Sequence, residues 1–470
     1  MSHLKNSYLF GKKIKGFVSA AKAWRIYCKE VMKMILLSKG DSGSYVFMLQ
    51  LALARAGEAP GKMDGIFGER TLQATQSFQQ KQNLVPDGIV GRKTFAALRP
   101  YLVGYTTYQV QPGNTVFALA QRFGSSVALI ENANPKLRQA NLMVGDTIYI
   151  PYNFELVPTN VAYNSLLCEL ICEGLAVRYP FIGLQTVGKS KNNRPLVVLK
   201  LGHGKRELFF NAAHHANEWI TTPMVLRFTE QYANAVVDAV KIGDAFADYL
   251  FDTVTLYVMP MVDPDGVDLV TGALPKDSAA YKTAVGYAGN YPQIPFPSGW
   301  KANLAGVDLN LNYPAMWERA RELKFAAGYQ KPGPRDYVGP KPLSEPESTA
   351  VFNFTQSRSF AAVLAFHTQG EVIYQGFERY LPPGSAALAE RLARASGYAV
   401  ENAPAYSGYA GYKDWFILAY NLPGYTVEVG QGVNPLPISS FNRFYPPAAA
   451  LMAAALQGIS AGEEAPESTE

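Results

Sequence analysis

The sequence predicts a large α/β domain, its mixed and mostly buried sheet flanked by helices, preceded by a small three-helix domain and a βααβ module. Three observations predict it. From about residue 161 to 458, short apolar strand-like runs alternate with helical ones. An eight-residue segment with two glycines occurs twice before residue 103. Between 105 and 151, two alternating strand-like runs bracket two helix starts.

The chain has 470 residues, enough for several domains, and its 48% apolar and 17% charged composition is that of a globular protein. A net charge of +5 is mild for this length and is not gathered into a dense basic block, which excludes a nucleic-acid role on composition. A weak attraction to anionic polymers such as cell-wall material is compatible with it. No stretch approaches the length of a membrane span. Oligomeric state is not legible.

Residues 1–36 form a basic N-terminal segment, with Lys5, Lys12, Lys13, Lys15, Lys22 and Arg25. Its apolar runs are too short for the core of a signal peptide, so the usual export route is not visible. Met34 opens MILLSKGD and is an alternative start to Met1.

In residues 37–103, Asp64-Gly65-Ile66-Phe67-Gly68-Glu69-Arg70-Thr71 recurs 23 residues later as Asp87-Gly88-Ile89-Val90-Gly91-Arg92-Lys93-Thr94. Each copy reads as a glycine turn with Thr as the N-cap of a following helix. Leu72, Ala74, Phe78 and Gln79 place one such helix, ending near Asn83. A helical domain that needs repeated caps would look like this. The D-G-x-x-G-x-x-T repeat also resembles the three-helix peptidoglycan-binding domain.

Residues 105–151 follow directly. Tyr108–Val110 and Thr147–Pro151 alternate as strands, Pro112-Gly113-Asn114-Thr115 opens one helix, and Ser125-Ser126 opens a second that ends near Asn134-Pro135. The Y-x-V-x-x-G-x-T opening, the N-x-N-P and the V-G-D-x-I-x-I-P ending resemble the LysM module. That resemblance implies binding to N-acetylglucosamine-containing glycan strands.

Residues 152–160 are polar and contain proline, and read as a linker. In the segment 161–458, Leu196–Lys200, Glu207–Asn211, Val254–Met259, Ala361–Phe366 and Gly424–Val429 read as buried strands, with helical runs such as Met224–Val237 between them. Residues 459–470 end in an acidic, small-residue tail that reads as disordered. Cys28, Cys168 and Cys172 are too few for a disulfide framework, and the last two, four apart, read as one face of an amphipathic helix.

The chemistry concentrates in Phe210–Trp219. His215 and Glu218 are three apart at the end of a strand-like run and project to one side of a turn, where open α/β sheets bind ligands. An imidazole and a carboxylate suit zinc, and a catalytic site needs a third ligand and an open position for water. His367 ends another strand-like run and can supply that ligand. An H-x-x-E pair alone reads better as a surface ion pair, and His214 competes with His215, being four residues from Glu218.

The wider pattern resembles the zinc carboxypeptidase superfamily. His215-Ala216-Asn217-Glu218-Trp219-Ile220-Thr221 fits its H-x-x-E-W-I-T motif, followed in order by Asp263-Pro264-Asp265-Gly266, Gly306–Asn310, Ser344–Glu347 and the strand Tyr425–Glu428. The resemblance implies one zinc on His215, Glu218 and His367, with Glu428 as catalytic base and acid. It also implies that Tyr406 is the mobile active-site tyrosine, and that Lys301 stands where the family has a carbonyl-polarising arginine.

Two departures qualify it. The arginine that follows the motif asparagine and grips a terminal carboxylate is Leu311, after Asn310, and the Arg of H-x-R-E is Asn217. GVDLNLNYPAMWE and GPRDYVGPKPLSEPE resemble the bacterial γ-D-glutamyl-L-diamino acid endopeptidases, which carry wall-binding modules ahead of the same domain. That implies hydrolysis at γ-D-glutamyl-diaminopimelate (or lysine) in peptidoglycan stem peptides. Asn310 and Arg335 would be substrate-binding, although Arg335 also reads as a solvated loop arginine, and the protein would be bacterial and cell-wall-directed, staying cytoplasmic until sporulation or lysis for want of a visible signal peptide. A murein peptide carboxypeptidase and an inactive wall-binding protein are the alternatives.

Overall fold

The computed structural model describes residues 35–138, 141–404 and 409–462. The N-terminal segment with Met34, the acidic residues from 463 and Tyr406 therefore lie outside the described residues.

The first unit has α1 (Ser44–Arg55), α2 (Glu69–Lys81) and α3 (Arg92–Val103). The repeated octapeptide forms the turns that lead into α2 and α3, but its threonines are not caps. The N-caps are Gly68 and Gly91, and Thr71 and Thr94 are buried in the first helical turn. Each threonine serves a glutamine from the preceding helix. Gln50 donates through Nε2 to Asp64 Oδ1, Ile66 O and Thr71 Oγ1, and its Oε1 accepts from Gly65 N–H. Gln79 repeats the set on Asp87, Ile89, Thr94 and Gly88. Gly65 and Gly88 have φ of +69° and +73°, and a Cβ there would sit 2.5 Å from Phe47 or 2.2 Å from Leu72. The echo thus encodes a buried polar clasp, made twice.

The second unit pairs β1 (Tyr105–Gln109) antiparallel with β2 (Thr147–Pro151) around α4 (Val116–Phe123) and α5 (Val127–Ala133). The Thr115 and Ser126 side chains cap the two helices by accepting from Ala118 and Leu129 N–H. This unit has its own core of Val110, Leu119, Ala120, Ile130, Ile148 and Ile150.

The remainder runs α6 (Ser165–Arg178), β3 (Gly183–Lys189), β4 (Pro195–Leu201), β5 (Arg206–Ala212), α7 (Thr221–Asp238), the hairpin β6 (Lys241–Ile242) and β7 (Ala245–Phe246), α8 (Ala247–Thr253), β8 (Val254–Met259), α9 (Pro264–Val270) and α10 (Ala279–Ala288). It continues with α11 (Trp317–Ala326), α12 (Pro346–Gln356), β9 (Phe360–His367), β10 (Val372–Gln375), α13 (Ser385–Ser396), β11 (Ala399–Asn402), α14 (Tyr412–Tyr420), β12 (Gly424–Glu428) and α15 (Phe441–Ala461). The α/β domain expected from the sequence is this eight-stranded mixed sheet, in the order β11-β10-β12-β9-β5-β8-β4-β3. Its central strands β12, β9, β5 and β8 are mutually parallel. Successive residues of these strands enter cores on opposite faces: Leu208, Phe210, Leu364 and Phe366 on one, Phe209, Tyr257, Val363 and Ala365 on the other. The edge strands β3 and β11, and β10 next to β11, have no strong apolar alternation and are not legible in the sequence. Helix α15 runs to Ala461, so the start of the expected tail is helix.

Two expectations change in the packing between units. Helix α6 is not amphipathic, since residues 165–175 are all buried, Cys168 and Cys172 among them. It lies between the sheet and the three-helix unit, and Leu49, Phe95 and Leu102 share one core with Leu166 and Leu170. Arg99 Nη2 meets both Glu173 oxygens at 2.7 and 2.6 Å, and Asn164 donates to Ser44 Oγ at 3.0 Å. The stretch 152–160, expected to be a linker, is pinned down. Leu156 and Val157 are buried, and their N–H groups donate to the two oxygens of Glu230 at 2.6 and 3.0 Å. Glu230 also pairs with Arg178 at 3.5 Å and Arg227 at 3.0 Å. Glu230→Ala strands these donors in the interior and is expected to cost about 3–5 kcal/mol. The check is a lower denaturant midpoint at unchanged slope in urea unfolding.

Candidate active site and metal centre

The site forms where the parallel strands end. Strand β5 stops at Ala212, and Ala213 takes a left-handed φ of +52°, rare for a residue with a Cβ. Thr221 Oγ1 accepts from Ala213 N–H, and Asp263 N–H donates to the Ala213 carbonyl, so the turn is held from both sides. Beyond it, His215 precedes a 3₁₀ turn, Ala216–Glu218, that brings Glu218 round to the same side. His367 ends β9 and Glu428 ends β12, and the two are register partners on adjacent strands.

His215, Glu218 and His367 are buried, and one ligand atom from each lies within 4.8 Å of the others. His215 Nδ1 is 2.9 Å from Glu218 Oε1, His367 Nδ1 is 2.9 Å from Glu218 Oε2, and the two imidazole nitrogens are 3.2 Å apart. On its other side, His215 Nε2 lies 3.0 Å from Asp308 Oδ1. Two imidazoles with one carboxylate are a zinc donor set with room for water, and a His215 that holds a metal through Nδ1 would keep its Nε2–H for Asp308. The residues therefore fit a zinc ion. His214 is turned away: its Nε2 lies 3.0 Å from Tyr313 Oη, and its ring stacks on Tyr412.

The charges are arranged around this cluster. Burial lowers the His215 pKa, but Glu218 and Asp308 outweigh it and raise it to about 9. Burial, and then the Glu218 charge, push the Glu428 carboxyl up to about 8, against the pull of Lys301 and His215. Lys301 Nζ is 2.9 Å from Glu218 Oε1, within the site and 18% exposed. Thr368 N–H donates to Glu218 Oε2 at 3.1 Å.

Of the other candidates, Asn310 accepts from Tyr412 N–H through Oδ1 at 3.0 Å. Leu311 is buried against Trp317, Ala320, Val338 and Ala410, and Asn217 donates to the Ser298 carbonyl. Arg335 has a side chain that is 41% exposed, and Pro334, the residue before it, accepts from both Lys301 and Ala302 N–H at 2.7 and 2.9 Å. Asp308 lies inside the Gly306–Asn310 motif, and sequence reasoning gives it no role of its own. Its contact with His215 spans 93 residues, and no local pattern announces it.

Comparison with known proteins gives three family matches. The zinc carboxypeptidase profile matches residues 169–459, a peptidoglycan-binding domain profile 42–98, and the LysM domain profile 108–151. The chain is 42% identical over 297 residues to gamma-D-glutamyl-L-diamino acid endopeptidase 1 of Lysinibacillus sphaericus, covering 63% of this chain and 72% of that one. It is 36% identical over 269 residues to the uncharacterized protein YqgT of Bacillus subtilis, covering 57% and 70%. Among solved structures, thrombin-activatable fibrinolysis inhibitor matches in fold at a TM-score of 0.50 and 19% identity, over 64% of this chain and 75% of that one.

Proposed function

The chain belongs to the zinc carboxypeptidase family, and from that premise we propose that it hydrolyses the γ-D-glutamyl bond to meso-diaminopimelate (or lysine) in peptidoglycan stem peptides. Its peptidoglycan-binding and LysM modules associate it with the cell wall. The observation that supports the substrate reading best is a subtraction. The three metal donors and a strand-end carboxylate are present, yet Leu311 stands where the family's carboxylate-gripping arginine would be and Asn217 where it often has a second arginine. A site without those cations has no strong reason to demand a free C-terminus. The relative from Lysinibacillus, by its name, acts on the bond proposed here.

In this reading His215, Glu218 and His367 hold zinc, which supplies Lewis acidity to a water and to the scissile carbonyl. Asp308 keeps His215 in one tautomer and orientation by accepting from Nε2. Glu428 takes the proton of the attacking water and returns it to the leaving amine. Lys301 sets a positive charge beside the carbonyl oxygen, as a point charge rather than a bidentate fork. Asn310 holds a polar group of the substrate, Arg335 a carboxylate, and Tyr406 closes over the reacting centre. The LysM module holds the glycan strands while the peptidase works on the stems.

A tripeptide stem, its tetrapeptide and their C-terminally amidated forms should be cleaved at similar rates, with mass spectrometry placing the cut after D-glutamate in each. A strict requirement for a free C-terminal carboxylate would instead make the enzyme a murein peptide carboxypeptidase.

A further inference from the structure

On the turn that follows Pro334, one buried acid holds two basic side chains. Asp336 is buried and binds two cations at once: Lys324 Nζ donates to Oδ1 at 2.6 Å, and Arg335 Nε to Oδ2 at 2.7 Å. Asp308 is a second carboxylate close to both cations. Of the two cations Arg335 is the one that reaches the surface, its side chain 41% exposed against 4% for Lys324. Asp336 takes the Nε–H of Arg335, which leaves the terminal Nη groups of the guanidinium as further donors.

The anchor itself is braced. Asp336 has a left-handed φ of +65°, a conformation that aspartate tolerates better than most residues but still at some strain. Its N–H donates to Asp308 Oδ2 at 3.3 Å, and Asp308 Oδ1 is the oxygen that faces His215. Asp308 N–H donates in turn to the Tyr337 carbonyl at 2.8 Å. The Arg335–Asp336–Tyr337 turn is thereby tied to the same carboxylate that orients a zinc ligand. Pro334 binds the Lys301 backbone at 2.7 Å, so the two cations belong to contacting segments.

We infer that Arg335, held in place by Asp336 and Lys324, grips the α-carboxylate of the D-glutamyl residue on the acyl side of the scissile bond. This rests on the reading of the substrate given above. A γ-linked glutamate leaves its α-carboxylate free, two methylenes and one α-carbon away from the carbonyl that is attacked. Lys301 faces that carbonyl, and the neighbouring cation meets the carboxylate. Asp336 and Lys324 are positioning residues that touch no substrate. Arg335 occupies neither of the positions, 217 and 311, at which the family's arginines are missing.

The test compares two soluble tripeptide stems, one with D-glutamate and one with its α-carboxylate amidated, on the zinc-loaded full-length enzyme. Removing a charge-assisted hydrogen bond corresponds to about 10- to 100-fold in kcat/KM. The wild type is expected to prefer the free carboxylate by that factor. Arg335→Gln should lower the preference at least about tenfold, mainly through KM. Asp336→Asn and Lys324→Met should do the same to a smaller extent, and Lys324→Arg should restore part of it. Thermal unfolding is measured on each variant, and the solvent-facing Arg335→Gln keeps the test valid if Asp336→Asn unfolds. Equal losses on both peptides, or none on either, in an enzyme that cuts after D-glutamate would overturn the inference alone. Full preference in both Asp336→Asn and Lys324→Met would overturn the positioning role. A wild type that cuts neither peptide would overturn the substrate reading and the inference with it.

Discussion

Glu428→Gln is expected to leave fold and zinc content unchanged and to lower turnover on a soluble stem peptide by about 10²- to 10⁴-fold, the usual contribution of a positioned general base. The amide is nearly the same size as the carboxyl and sits at the end of β12, paired with β9 and β10, so the strand has no reason to move. It cannot accept a proton from water. Burial and the Glu218 charge together raise the Glu428 carboxyl, so it responds strongly to charge placed beside it. A zinc ion on Glu218 offsets the second of these causes and favours the ionised base. Metal content is measured by mass spectrometry, folding by circular dichroism, and turnover by product release. A Gln variant that retains zinc and near-normal turnover would show that the proton goes elsewhere.

His215→Ala, Glu218→Ala and His367→Ala should each lose the bound zinc and bring activity to background, whereas His214→Ala should retain about one zinc per chain. The contrast follows from the side-chain directions: His215 faces Glu218 and His367, and His214 faces Tyr313. A closed set of three ligands has no spare donor to replace the missing one. Asp308→Asn belongs to the same series with a milder outcome, about 10- to 100-fold weaker zinc affinity, because it disturbs the orientation of His215 without removing a ligand. Full zinc in His215→Ala together with loss in His214→Ala would reverse the ligand assignment.

The docking of the three-helix unit bears on how such experiments are designed. Its helices α1 and α3 complete the core around α6, and Arg99, Glu173, Ser44 and Asn164 bond across the seam. Removing residues 37–103 would uncover apolar surface of the peptidase itself, and a loss of activity would then report on stability as well as on wall binding. Point changes on exposed residues separate the two.

Much of this protein is legible in its sequence, and the legible parts share a physical cause. Strands β4, β5, β8, β9 and β12 are buried on both faces, so they appear as continuous apolar runs, and His215, His367 and Glu428 stand out because each lies where such a run ends. Caps such as Thr115 and Ser126 act over three residues, and the D-G-x-x-G-x-x-T echo is equally local. What the sequence leaves open depends on contacts between distant segments. The choice between His214 and His215 turns on one left-handed residue, Ala213, whose geometry is set by Thr221 and Asp263. The role of Asp308, the clasp of Gln50 and Gln79 on their threonines, and the pinning of Leu156 and Val157 by Glu230 all join residues 15 to 93 positions apart. The same holds for Lys324 and Asp336, where a buried lysine reads in sequence as one more solvated charge on α11. Periodicity and local turns report which face a residue takes and where an element stops. Which partner it meets there is decided by packing, because a buried charge must find its counter-charge wherever the folded chain brings one.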